Sequence, residues 1–128
     1  SIVFNKGWWN QEVYGRWMKG READFQISLP NNRPVSESDR YALTIQGDFF
    51  MGRTQPILFM IDGEEMGTLK DIGDGVLTAQ FSTKSTAKAV TINLKLSDQT
   101  VQSPKALGIS ADERTLTFFL KAARLTGA

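Results

Sequence analysis

Apolar side chains recur at every second position along this chain, and that period constrains the fold more than any other feature. Ala23, Phe25, Ile27 and Leu29 alternate with Asp24, Gln26 and Ser28, the pattern of a strand with one face in a core and the other in water. Tyr41, Leu43, Ile45 and Phe49 share a parity in a second strand, and Val90, Ile92, Leu94 and Leu96 do so in another. Between the first two lies a polar loop, Pro30 to Pro34 and Ser36 to Asp39. The run Ile57 to Ile61, then Asp62-Gly63, then Glu64 to Leu69 reads as a hairpin, because Asp-Gly readily takes the positive φ angles of a type I′ turn. Its first arm is apolar on both parities, which predicts a central strand covered on both faces. Asp71 to Gly75 is turn chemistry, and Val76 to Phe81 resumes the extended pattern.

Two segments admit other readings. Thr115 to Leu125 has the Leu, Lys and Ala content of a helix, yet Thr115-Leu116-Thr117-Phe118-Phe119 is rich in β formers, and strand is the better reading. Ser1-Ile2-Val3-Phe4 reads as an opening strand that starts without an initiator methionine, so the chain is expected to be a fragment of something longer. No helical period of 10 to 15 residues separates the strands, which argues against parallel βαβ units. The expected fold is therefore all-β: one domain, 1–128, built as an antiparallel two-layer β-sandwich of jelly-roll type.

Composition narrows the chemistry. With 15 Lys and Arg against 14 Asp and Glu, the net charge of +1 gives no basic footprint for nucleic acid. The chain has no cysteine and no histidine, which removes thiol chemistry, Ser-His and Cys-His catalysis, and most zinc sites. No charged-then-apolar leader and no apolar run of about 18 residues is present, so neither a signal peptide nor membrane insertion is expected. Gly73-Asp74-Gly75 lacks the remaining glycine and the helix of a phosphate loop. Asp71 and Asp74 have the oxygen chemistry of a calcium site, but a polar turn accounts for them. Glu64 and Glu65 are neighbours on a strand and face opposite sides, unlike a hydrolase's carboxylate pair, which needs roughly 5 to 9.5 Å across a cleft. Glu12 with Asp24 or Asp112 is the combination that leaves a small glycoside hydrolase open.

All three tryptophans fall between Gly7 and Gly20, with Tyr14, Glu12 and Arg16 among them. A tryptophan buries roughly 150 to 250 Å², a gross gain of about 4 to 6 kcal/mol each. Such side chains either plug a core or lie flat under a ligand. Sugar rings stack their C–H faces on indole and phenol rings, while Glu12 and Arg16 have the groups to bond ring hydroxyls. The candidate ligand-binding set is Trp8, Trp9, Glu12, Tyr14, Arg16 and Trp17, with no catalytic residue, metal or cofactor. The competing reading makes Trp9 and Trp17 core plugs, with Glu12 and Arg16 joined to each other or to Asp112 and Arg114 in a buried polar brace between the chain's two ends. Adjacent residues of an extended segment point opposite ways, and Trp8 is the indole expected to be accessible. Ser110 and Glu113 match a helix-capping box, which would make this segment a single structural turn.

Trp9-Asn10-Gln11-Glu12-Val13-Tyr14-Gly15-Arg16-Trp17-Met18-Lys19-Gly20 resembles the W-x-x-E-x-W/Y-G-R-W-x-x-G opening of an all-β accessory domain carried by bacterial cell-envelope enzymes that handle glycans, such as phosphoglycerol transferase I. Ser103-Pro104-Lys105-Ala106-Leu107-Gly108-Ile109-Ser110-Ala111-Asp112-Glu113-Arg114-Thr115-Leu116 is similar to that family's second signature, S-P-x-x-L-G-x-S-x-D-x-R-x-L. The pattern departs at Thr117, where the family carries glycine. The resemblance implies a periplasmic, noncatalytic, glycan-oriented module. Its partners would be a periplasmic glucan or other envelope glycan and the catalytic domain of a membrane-tethered parent enzyme. A purely structural module packed on that catalytic domain is the alternative.

Overall fold

A computed structural model of the chain describes residues 2–30, 40–83, 87–98 and 100–127. Among these residues ten strands follow one another: β1 (Ile2–Phe4), β2 (Arg16–Trp17), β3 (Glu22–Ser28), β4 (Arg40–Phe49), β5 (Ile57–Ile61), β6 (Glu64–Thr68), β7 (Lys70–Asp71), β8 (Val76–Ser82), β9 (Ala89–Leu96) and β10 (Phe118–Gly127). They form two five-stranded sheets in the orders β1-β3-β9-β5-β6 and β2-β10-β4-β8-β7, with every pairing antiparallel. The chain crosses repeatedly from one sheet to the other, as in a jelly roll. The expected architecture is the observed one.

The alternation places the core. Ala23, Phe25 and Ile27 of β3, Val90, Ile92, Leu94 and Leu96 of β9, and Ile57, Phe59 and Ile61 of β5 point inward from the first sheet. Tyr41, Leu43 and Ile45 of β4, Leu77 and Phe81 of β8, and Phe118, Leu120 and Leu125 of β10 meet them from the second. The Asp62-Gly63 turn has φ angles of 49° and 85°, the left-handed pair that a type I′ hairpin requires. Glu64 lies opposite Ile61 and Glu65 opposite Met60, so the two carboxylates face opposite sides of their sheet.

Four expectations need correction or relocation. β5 lies next to the edge strand β6, and its outward residues Leu58 and Met60 are only half-buried; the doubly apolar run reflects a partly shielded outer face, not a fully covered central strand. The C-terminal strand starts at Phe118, because Leu116 is already engaged in an isolated bridge with Gln102 and Thr117 in bonds to the N-terminal ribbon. The Ser110 motif forms the single structural turn its spacing suggests, with no helix after it and without the reciprocal Glu113 bond of a capping box. The Ser110 hydroxyl accepts from the Asp112 N–H in a local turn, while Glu113 pairs outward with Lys105. The polar loop expected before β4 falls at 31–39, outside the described residues.

Trp8 is a core residue, only 6% exposed. An antiparallel bridge pairs it with Met18, and its ring meets Phe4 edge-on at 5.0 Å and leans on Phe25. Its indole N–H is satisfied by the Asp24 carbonyl at 2.8 Å, so nothing polar is stranded by the burial. The alternation rule was sound, but the bridge to buried Met18 sends Trp8 inward and Trp9 outward. Trp8→Ala should cost about 3 to 5 kcal/mol, the range for emptying a large aromatic from a core. Tyr14→Ala, at a position 80% exposed, should stay within about 0.5 kcal/mol of wild type. Urea midpoints of the two variants check the contrast, and equal losses would contradict this assignment.

Candidate functional site

Residues 10–15 form a tight turn at the margin of the second sheet. The Glu12 N–H donates to the Gly15 carbonyl at 2.9 Å, and the Gln11 side-chain amide donates to the carbonyls of both Glu12 and Gly15 at 3.0 Å. These bonds present Val13 and Tyr14 at the tip, 88% and 80% exposed. Gly15 is where the ribbon presses on β10. A Cβ there would stand 2.4 Å from the Leu120 carbonyl oxygen and 2.8 Å from the Phe119 ring, so a side chain would push β2 off its partner.

From that turn, β2 enters the sheet with alternating faces. Arg16 lies opposite Leu120 and Trp17 opposite Phe119. Arg16 turns to the inner margin, where its Nε donates to the Trp9 carbonyl at 2.6 Å and its guanidinium lies 4.7 Å from the centre of the Phe4 ring. Trp17 turns outward. Its ring packs on Phe119 at 4.9 Å and meets Phe50 edge-on at 5.9 Å. Trp9 shares the outward face of this ribbon, because the bridge Trp8↔Met18 leaves Trp9 beside Trp17. The Trp9 indole N–H donates to the Thr115 carbonyl at 2.7 Å, and the Lys19 ammonium sits 4.5 Å over its ring. Trp9, Trp17 and Phe119 are all half-buried, each anchored on one side and open on the other.

The row continues across the sheet. Phe119 lies opposite Asp48, whose carboxylate binds Lys121 at 2.6 Å. Lys121 occupies the irregularity between Leu120 and Ala122. Beyond it, Thr44, Gln46, Val76, Ala122 and Arg124 line an open groove of about 250 Å³ on the same outer face. The hydroxyl of Thr44, in its lining, lies 3.1 Å from that of Thr78. Stacking surface at one end and hydroxyl, amide and guanidinium groups at the other form a surface of mixed polarity, suited to a flat, hydroxylated ligand.

The polar brace exists among Glu12, Asp112 and Arg114 as expected, without Arg16 and with more exposure than a buried brace. The Arg114 guanidinium donates Nη1 to Glu12 at 3.1 Å, and Nε and Nη2 to the two oxygens of Asp112. These side chains keep between 28% and 43% of their surface in solvent. Arg16 takes no part, because its guanidinium is spent on Trp9 and Phe4. The shared guanidinium fills the space between the Glu12 and Asp112 carboxylates, where a glycosidic bond would have to sit. Asp24 faces the loop over the other sheet and accepts from the Lys6 N–H. Asp71 accepts from the Gly73 N–H within its own turn, and no group of three or more carboxylates able to hold a metal ion occurs among the described residues.

The structure therefore gathers Trp9, Trp17, Tyr14 and Glu12 around one margin of the second sheet and sends Trp8 and Arg16 elsewhere. Phe119, Phe50, Thr44, Thr78, Gln46 and Arg124 were missed. The outward parity of β4, β8 and β10 was available as a signal, but pairing it across strands needs the register, which the sequence does not print.

No protein-family model matches the chain, and no curated protein matches it. Solved structures do. The CBM22-1 xylan-binding domain from Paenibacillus barcinonensis Xyn10C is similar over 99% of this chain and 85% of its own, at 11% identity and a TM-score of 0.52. The CBM36-1 domain of a multidomain xylanase from the hindgut metagenome of Trinervitermes trinervoides matches 100% of this chain and 97% of its own at 16% identity and a TM-score of 0.48. A family two carbohydrate esterase from Clostridium thermocellum matches over the whole chain at 8% identity and a TM-score of 0.49, and this chain spans about a third of its length, 32%. At these identities the likeness is one of fold.

Two outcomes follow from the geometry. Gly15→Ala should destabilise the protein by about 1 to 3 kcal/mol, as overpacking does, and should quench or shift Trp17 fluorescence through the displaced Phe119. The second concerns Asp112, whose carboxyl is held below its usual 3.8, first by the Arg114 side-chain bonds and then by the Arg114 N–H. A depressed folded-state pKa means that this contribution is present above pH 3.8 and is lost as pH falls through the lower folded value. Thermal midpoints measured down to strongly acid pH should therefore fall more steeply in wild type than in Asp112→Asn. Parallel curves would remove Asp112 from the acid limb.

Proposed function

We propose that this domain is a noncatalytic glycan-binding module, and that the sugar chain lies on the outer face of the second sheet. The observation that carries the reading is the continuity of that face. The half-open rings of Trp17 and Phe119 lead into the groove of Thr44, Gln46 and Arg124. Aromatic rings beside hydrogen-bonding side chains suit pyranose recognition, because one group stacks on C–H faces and the other orients hydroxyls. A fold shared with a xylan-binding domain supports the reading. The two sequence signatures support a finer one, in which the module belongs to a periplasmic, glucan-modifying phosphoglycerol transferase whose catalytic domain lies outside this chain. The clamped Glu12 and Asp112 carboxylates support a binding role over hydrolysis.

A second reading rests on Val13 and Tyr14. Two adjacent, almost fully exposed apolar side chains on a braced turn suit packing against a neighbouring domain. In that reading Val13→Ser with Tyr14→Ser weakens the parent enzyme's stability and leaves sugar affinity untouched.

The test is a calorimetric and NMR titration with β-glucan and xylan oligosaccharides. Saturable shifts should appear at the Trp17 and Trp9 indole resonances and leave Trp8 still. Trp17→Ala should lower affinity about tenfold or more, equivalent to about 1.4 kcal/mol, with the fold intact by circular dichroism. Silence across all glycans tested would overturn the proposal.

A further inference from the structure

The strands of the two sheets carry opposite net charge, although the whole chain is nearly neutral. Among the described residues, the strands of the second sheet hold five basic residues, Arg16, Arg40, Lys70, Lys121 and Arg124, against the acidic Asp48 and Asp71. The strands of the first sheet hold one basic residue, Lys95, against four acidic ones, Glu22, Asp24, Glu64 and Glu65. Segregation of this kind makes a local field that net charge conceals, and fields of one sign steer and hold ligands of the other.

Most of the cations on the second sheet are committed. Lys121 is paired with Asp48, Arg16 with the Trp9 carbonyl and the Phe4 ring, and Arg40 donates to Gln80. Arg124 and Lys70 are exposed, and among the described residues no hydrogen bond or ion pair engages either side chain. Register puts them in one line. Arg124 lies opposite Thr44, Thr44 opposite Thr78, and Thr78 opposite Lys70. Residues directly opposite share a face, so this row crosses the sheet with a cation at each end, over three strand spacings of about 4.8 Å, roughly 14 Å in all.

The middle of the row determines which groups donate. The Thr78 hydroxyl donates to the Leu43 carbonyl at 3.1 Å, so the 3.1 Å contact between the two hydroxyls has Thr44 as its donor. Both threonine protons are thereby used, and Thr44 offers a ligand only its lone pairs. Donors for an anion on this row come from Arg124 and Lys70, with the Gln46 amide alongside. A neutral sugar uses the acceptors and leaves two desolvated cations uncompensated, whereas a charged one uses both.

Resting on the glycan reading above, we propose that the ligand is an acidic glycan, whose carboxylate or phosphodiester substituents pair with Arg124 and Lys70 while its hydroxyls donate to Thr44. The full chain is titrated with a uronate hexasaccharide, a phosphodiester-substituted glucan and a neutral glucan of the same length, at low and high salt. Either charged glycan should bind at least about tenfold tighter than the neutral one at low salt, and the margin should shrink as salt rises. The charged glycan that shows the margin identifies the source of the anion. Arg124→Gln with Lys70→Gln should abolish the margin, and both sites are exposed enough to keep the fold. Lys95→Gln on the opposite sheet should preserve it. Equal affinity for charged and neutral glycans would overturn the inference while leaving the glycan reading standing, whereas no affinity for any would remove both. Duplex DNA or polyglutamate binding as tightly as the charged glycans would also overturn it, by showing a general polyanion surface.

Discussion

The sandwich depends on a joint between its first twenty residues and the segment that introduces its last strand. The Met18 N–H donates to the Phe118 carbonyl and the Thr117 N–H to the Met18 carbonyl. The Thr115 hydroxyl donates to the Lys19 carbonyl and the Thr117 hydroxyl to the Gly20 carbonyl, both at 2.6 Å. The Trp9 indole closes on the Thr115 carbonyl from outside, and Arg114 ties Glu12 to Asp112 at the rim. These contacts span about a hundred residues of sequence. Closing a loop of that length carries an entropy cost that grows only slowly with length, and several simultaneous bonds with burial of Trp8 and Met18 offset it. Without the joint, β2 is two residues long and cannot hold a sheet edge alone. The aromatic row would lose its scaffold.

The joint also explains why the two sequence signatures sit at opposite ends of the chain. Their residues meet in space: Glu12 with Arg114, Trp9 with Thr115, and Gly15 against Phe119 and Leu120. Thr117, the position where the chain departs from the signature, is nearly buried and bonds the ribbon through its hydroxyl. A glycine there would leave those carbonyls to other donors. The departure adds a side-chain bond to the joint.

Strand existence was legible because a period of two is written in consecutive side chains and needs no partner to be read. The hairpin at Asp62-Gly63 was legible for the same reason, its turn chemistry being local. What was not legible is which side chains the long-range pairing brings together. Adjacency required Trp8 and Trp9 to face opposite ways, but only the bridge of Trp8 to Met18 decides which goes in. Glu12 and Arg16 share a motif, yet register turns Arg16 to the inner margin and leaves Glu12 to Arg114. Ser110 and Glu113 have capping-box spacing, and Ser110 makes the expected turn, but Glu113 pairs outward with Lys105 in place of closing the box. The groove of Thr44, Gln46 and Arg124 was invisible because its walls come from strands that are distant in the chain.

The same geometry relates folding to recognition in this molecule. A two-layer sandwich buries one parity of every strand, so the other parity is free of packing demands and its chemistry is available for selection by a ligand. On the first sheet that parity supplies Glu22, Asp24 and Lys95 beside Gln26, Thr91 and Asn93, with no aromatic residue at that parity among the described strands. On the second it supplies Trp17 and Phe119, then Gln46, Thr44 and Thr78, with Arg124 and Lys70 at the flanks. Solvation alone asks only for polar side chains and accepts any arrangement of them. It has no use for half-open rings on the same face as cations without ion pairs and hydroxyls whose protons are already spent within the protein. That arrangement costs the protein exposed aromatic area and uncompensated charge, and a ligand that stacks on the rings and neutralises the cations would recover both.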